Sequence, residues 1–126
     1  MVIDATRPAP EGRQLVSAYG AGGFTVSGVV HRGSILILPD RTLPWSASAT
    51  DQVSADSLFA LQAAALPVEL LIVGMGPGFA LLPAALRSEL KGWGIVAESM
   101  ATPAACRTYN VLAMEGRRVA AALVAV

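Results

Sequence analysis

The chain has 126 residues, 54% of them hydrophobic and 14% charged, and its nine basic residues balance nine acidic ones. That profile suits one folded domain, excludes a disordered chain, and gives no concentrated positive field for nucleic acid, the longest basic cluster being the pair Arg117 and Arg118. One cysteine, Cys106, and one histidine, His31, exclude an intramolecular disulfide and a zinc site of three or four Cys/His ligands, so neither metal nor cofactor is expected.

Residues 1–13 lack the basic start and apolar core of a secretory signal and read as a loose arm before a single domain over 14–126. Three short apolar runs follow: LVSAY (15–19), FTVSGVVH (24–31) and SILILP (34–39), separated by GAGG and RG. Runs this short, broken by glycine, predict an antiparallel meander. The segment PDRTLPWSASATDQV reads as turns, with Trp45 as its anchor to the core. Ser54 or Asp56 is placed to cap a short helix carrying Leu58, Leu61 and Ala65 on one side.

The second half predicts a βαβαβ unit. Strands are expected over 68–73, 95–99 and 119–126, with helices over 83–93 and 103–115 between them. Leu82, Leu86, Leu90 and Trp93 recur at helical spacing and mark the buried side of the first helix. The second has Thr102 as its expected N-cap, Pro103 at the first helical position and Gly116 just past its end. Its apolar stripe is read as Ala105, Tyr109, Leu112 and Ala113, leaving Arg107 and Asn110 to face solvent or a partner. The most apolar stretch, LPVELLIVGMGPGFALLPAAL (66–86), is interrupted by Glu69 and by several prolines and glycines, so no spanning helix is predicted.

VGMGPGF (73–79) raises the question of a phosphate-binding turn. Gly74 and Gly76 follow a strand and Glu98 lies near the spacing of a ribose-binding carboxylate, but Phe79 occupies the third glycine position of a dinucleotide fingerprint. Pro77 also removes an amide from the loop. A strand-to-helix turn that needs glycine is therefore the preferred reading, although GMGPGF and MATP should share the carboxyl edge of two parallel strands, where open α/β sheets commonly bind ligands. Cys106 and His31 could form a nucleophile and base, yet Cys106 borders the apolar stripe and reads better as a small core residue. Arg117, just beyond the Gly116 stop, is placed to form a surface ion pair with Glu115 or to lie along the sheet end.

The stretch MATPAACRTYNVLAMEGRRVAAALV (100–124) resembles the signature end of the DUF498/DUF598 family of small domains, which includes the mitochondrial complex I assembly factor 3 and the adipogenesis-associated domain protein. The likeness continues upstream through LLIVGMG and, more loosely, FTVSGVVHRGSILILP. Where that family commonly has Gly-Thr-Gly, this chain has Gly74, Met75 and Gly76. The resemblance implies a three-layer α/β fold with a central mixed sheet, and action through protein partners rather than an established reaction. Complex I or protein-export subunits are the partners it suggests.

Residues and resemblance together predict a bacterial, cytoplasmic, non-enzymatic interaction or assembly protein, peripheral to the inner membrane through its partners. The expected surface is built from Gly74, Gly76, Thr102, Cys106, Arg107, Tyr109, Asn110, Glu115 and Arg117. The alternative is a protein or enzyme that binds a small anionic ligand in the crevice at the carboxyl ends of the 68–73 and 95–99 strands. A homo-oligomer is a third outcome, since so apolar a chain can bury a face against itself.

Overall fold

The computed structural model describes residues 13–48, 53–64 and 66–126; most of the expected N-terminal arm, and Ala65 of the short helix, lie outside these. Strands β1 (Val16–Gly20), β2 (Gly23–Val26) and β3 (Val29–Arg32) form an antiparallel sheet in that order. The run expected as one strand over 24–31 is thus a hairpin. Ser27 and Gly28 both take positive φ, 47° and 83°, which is the two-residue turn whose twist suits paired strands.

The third expected strand departs from the meander. Strand β4 (Ile35–Ile37) is buried at every residue, and a three-residue run of that kind belongs inside a sheet covered on both faces. It pairs with β5 (Thr42–Pro44), a strand inside the segment read as turns, and with β8 (Val119–Leu123). With β6 (Leu70–Gly74) and β7 (Val96–Met100), these make a mixed five-stranded sheet ordered β5-β4-β8-β6-β7. Strand β6 lies at its centre, parallel to both β7 and β8.

Alternation across this sheet produces two cores. Leu36, Leu71, Val73, Ala120 and Ala122 face one way, toward helix α1 (Ala84–Gly92) and a 3-10 helix over Asp56–Ala63. Ile35, Ile37, Ile72, Ala121 and Leu123 face the other, toward helix α2 (Thr102–Met114) and the three-stranded sheet. The fold is therefore a three-layer α/β architecture with a central mixed sheet, as the sequence and its resemblance predict. The alanines of β8 are poor strand formers by propensity; they are fully buried, and their small side chains let both layers approach the sheet.

Both helices end as their glycines require. Past α2, Gly116 has φ 77°, its N–H donates to the Ala113 carbonyl, and the Arg117 N–H reaches back to Leu112. Gly94 closes α1 in the same way, with Ile95 N–H donating to Leu90. Leu86 and Leu90 are buried on the α1 face that the spacing indicates, and Leu82 joins them from the preceding loop. Before the 3-10 helix Ala55, not Ser54 or Asp56, holds the N-cap position, without a side-chain cap; Ser54 Oγ accepts from Ser57 N–H and Ser57 Oγ from Ser54 N–H, and Asp56 is already the first helical residue. Trp45 is buried in the core beside α1, as expected of an anchor.

Candidate functional site

The glycine turn and the start of α2 meet at the carboxyl end of the central sheet. Gly74 closes β6, level with Met100 of β7 on one side and Leu123 of β8 on the other. A Cβ on Gly74 would stand 2.9 Å from Thr102 Oγ1 and 3.0 Å from both Thr102 Cα and Leu123 Cδ2. Glycine is needed here because helix α2 begins directly against the strand, and the neighbour it would strike includes backbone. At Gly76 the requirement is conformational, since φ is 99°.

Thr102 is the hub of this junction. Its hydroxyl donates to the Val124 carbonyl at 2.8 Å and accepts from Gly76 N–H at 3.0 Å. Its own N–H donates to the Gly76 carbonyl at 2.8 Å. Met75 N–H donates to Met100, and Val124 N–H to Gly74. The result is a hydrogen-bonded clasp joining β6, β7, β8 and α2. It corrects the expected N-cap: Ala101 holds that position, with no side-chain cap, and Thr102 is fully buried inside the first turn with its hydroxyl turned across to the sheet.

The same bonds take up several of the amides that a phosphate turn would need. The amides of Met75, Gly76 and Thr102 already have acceptors within the protein, while Pro77 and Pro103 have no amide to offer. Met75 itself is buried in the core on the α1 side. The side chains beyond the turn do open to solvent: Phe79 is 67% and Leu81 71% exposed, and with Leu82, Arg87, Ala97, Glu98 and Ser99 they line a depression of ≈ 170 Å³.

Helix α2 separates the remaining candidates by side. Ala105, Cys106, Tyr109, Asn110 and Ala113 are buried, and Arg107, Glu115 and Arg117 are exposed. The burial of Asn110 corrects the expectation that it faces solvent or a partner. Its Oδ1 accepts from Val16 N–H at 2.9 Å and its Nδ2 donates to the Val16 carbonyl at 2.7 Å. An asparagine side chain carries the same donor and acceptor as a peptide group, so Asn110 pairs with β1 much as a neighbouring strand would. Tyr109 Oη donates to the Gln14 carbonyl at 2.6 Å, anchoring the chain just before β1. These two side chains bind the three-stranded sheet to α2.

The ionisation behaviour follows from that packing. Burial pushes the Cys106 thiol up to about 12, outweighing the Arg107 charge that favours thiolate, so this sulfur stays protonated and unreactive. Burial likewise raises the Tyr109 phenol, against the opposing pull of the Arg13 guanidinium. His31 lies on β3 with Tyr19, Phe24 and Arg32 around a depression of ≈ 220 Å³ whose lining does not include the fully buried Cys106. The ion pair expected between Glu115 and Arg117 is replaced by one between Arg118 and Glu69 at 3.5 Å, the one salt bridge among the described residues.

The sequence reading missed a surface on the other side of the central sheet. Among the described residues strand β7 pairs only with β6, which leaves its outer edge without a partner strand there. Beside that edge Arg87, Ser88 and Lys91 of α1 line a depression of ≈ 440 Å³ together with Ile95, Val96 and Ala97. Its sequence signal was present as Arg87 and Lys91 one helical turn apart on the side of α1 away from Leu86 and Leu90.

Known proteins place this geometry. An uncharacterised protein of Rhodobacter capsulatus is 45% identical over 116 residues, which cover 92% of this chain and 88% of that one. NADH dehydrogenase (ubiquinone) 1 alpha subcomplex assembly factor 3 of Danio rerio is 34% identical over 110 residues, covering 87% of this chain but only 63% of the assembly factor. The chain thus spans less than two thirds of that protein's length. Among solved structures, the crystal structure of an outer membrane protein from Bartonella henselae superposes with a TM-score of 0.80 at 37% identity, covering 91% of this chain and 97% of that one. Residues 16–124, which hold both cores, the clasp and the whole of α2, match the model of the protein family of unknown function DUF498/DUF598, and the chain belongs to that family.

Proposed function

We propose that the chain is a non-enzymatic interaction protein that assists the assembly of respiratory complex I or of another inner-membrane complex. The observation that carries this reading is the 34% identity to the Danio rerio assembly factor, sustained over 87% of this chain. Coverage of 87% of this chain is enough to include most of its scaffold, on which a partner surface would be displayed. No helix among the described residues is long and apolar enough to cross a membrane, so contact with a membrane complex would run through protein partners.

The partner surface is the outward side of α2 and its C-terminal turn. Of the residues singled out in sequence, Arg107, Glu115 and Arg117 are free of the core and available for it, with the exposed Val111 between them. Gly74, Gly76, Thr102, Cys106, Tyr109 and Asn110 support this surface from beneath. The test is affinity purification of the tagged protein from its host, with mass spectrometry of what accompanies it. Recovery of complex I subunits by the native protein, and their loss with Arg107→Glu, Arg117→Glu at unchanged thermal stability, is the expected result. Equal recovery by both proteins would remove α2 from the account, and purification of the protein alone would overturn the assembly reading.

A further inference from the structure

The two sheets have four lateral edges among the described strands, β1, β3, β5 and β7. That of β3 is open as well as that of β7, with Val29 and Val30 exposed, but only β7 has a helix bearing two cations beside it. At one end of the central sheet, β5 is three residues long and ends in Pro44, two common devices against edge pairing. The edge of β1 is covered where Asn110 bonds both backbone groups of Val16. Strand β7, at the other end of the central sheet, has five residues in unbroken register with β6, no proline and no bulge. Val96 N–H donates to Glu69 and the Met100 carbonyl accepts from Met75, so Val96, Glu98 and Met100 turn their backbone groups toward β6. By alternation Ala97 and Ser99 turn theirs away from β6, where they have no hydrogen-bond partner among the described residues, with Ala97 only 8% exposed at the rim of the α1-side core.

We propose that β7 is a docking edge for an extended segment of a partner protein, one that alternates acidic and apolar residues. The guest adds a sixth strand by bonding the outward N–H and C=O groups of Ala97 and Ser99. Alternate side chains of the guest then face α1, where the Arg87 and Lys91 cations overlook the edge. Side chains of the opposite parity lie beside Val96, which is 58% exposed and offers an apolar cross-strand contact. Farther along the edge, Phe79 and Leu81 line a depression with Arg87, Ala97, Glu98 and Ser99.

The charges also decide against a second copy as the occupant. Antiparallel pairing of two β7 strands places both α1 helices on one face, so two Arg87 and two Lys91 side chains would converge across the new pair. Acidic guest residues neutralise that field instead, with Glu98 the one carboxylate along the edge depressions. This inference rests on the assembly reading only in taking the partner to be a protein, and it names a different surface.

The test is nuclear magnetic resonance titration of the intact protein with a short peptide alternating glutamate and valine, beside a lysine and valine control. The expected result is that the glutamate peptide shifts the Ala97 and Ser99 amides and slows their hydrogen exchange, while the control does not. Arg87→Glu, Lys91→Glu lies on exposed positions and should leave the spectrum folded while weakening the glutamate peptide by about tenfold or more. Absence of any shift at Ala97 and Ser99, or equal binding of both peptides, would overturn the proposal. Protection of the same amides by raising the protein concentration alone would assign the edge to self-association instead. Failure here beside successful recovery of host partners dismisses the β7 edge alone; failure of recovery beside peptide binding dismisses only the assembly reading.

Discussion

The carboxyl end of the central sheet and its β7 edge make opposite use of backbone hydrogen bonds. At the clasp, the amides of Met75, Gly76, Thr102 and Val124 are all bonded within the protein, and the Thr102 hydroxyl both donates and accepts. Along β7, the outward backbone groups of Ala97 and Ser99 have no hydrogen-bond partner among the described residues. A glycine-rich turn after a strand invites a ligand reading, yet here its glycines serve close approach and a positive φ. Recognition capacity is better sought where donors and acceptors are left over, and that is the sheet edge.

The largest effect that would break this contrast is at Gly74. Gly74→Ala forces a Cβ to within 3.0 Å of Thr102 backbone and should cost about 3 kcal/mol, read as a lowered denaturant midpoint. A variant as stable as the native protein would mean that α2 does not press on β6 as described. Next comes Asn110→Ala, which leaves the N–H and carbonyl of the fully buried Val16 unpaired and should cost about 2–3 kcal/mol. Thr102→Val keeps the shape but orphans Gly76 N–H and one acceptor bond of Val124, for an expected loss of about 1–2 kcal/mol. Arg107→Ala, on the exposed side of the same helix, should change stability by less than about 0.5 kcal/mol. The order of these values separates scaffold from surface.

A pH measurement sharpens the same division. Because Cys106 is raised from 9.0 to about 12, the native state holds its thiol proton over a range in which the unfolded chain releases it. Its contribution to stability is therefore fully present below pH 9 and is lost progressively as pH rises toward 12. Cys106→Ala should flatten that alkaline decline, as followed by urea unfolding at successive pH values. A decline of the same slope in the variant would assign the effect to other groups.

How much of this was legible depended on whether the signal was local. The βαβαβ order came from periodicity, and Gly116 and the Leu86 and Leu90 spacing marked elements that form where expected. The departure of β4 from the meander was not legible, because its partner β8 lies more than 80 residues away and no local pattern announces that pairing. Asn110 was misplaced for a related reason. On a helical wheel it flanks the apolar stripe, and only the position of β1 reveals that a polar side chain is needed there to pair with Val16. Thr102 looked like a cap because Thr-Pro commonly opens a helix; its hydroxyl instead met the stronger claim of Gly76 and Val124 across the sheet. The open edge of β7 follows from strand order, which a single sequence does not state.

Native-state amide hydrogen exchange of the unliganded protein tests the central claim most directly, since it reads the clasp and the edge in one experiment. The account predicts strong protection of Met75, Gly76, Thr102 and Val124, and fast exchange of Ala97 and Ser99 beside protected Val96 and Glu98. Fast exchange at Gly76 and Thr102, or protection of Ala97 and Ser99 in dilute protein, would contradict it.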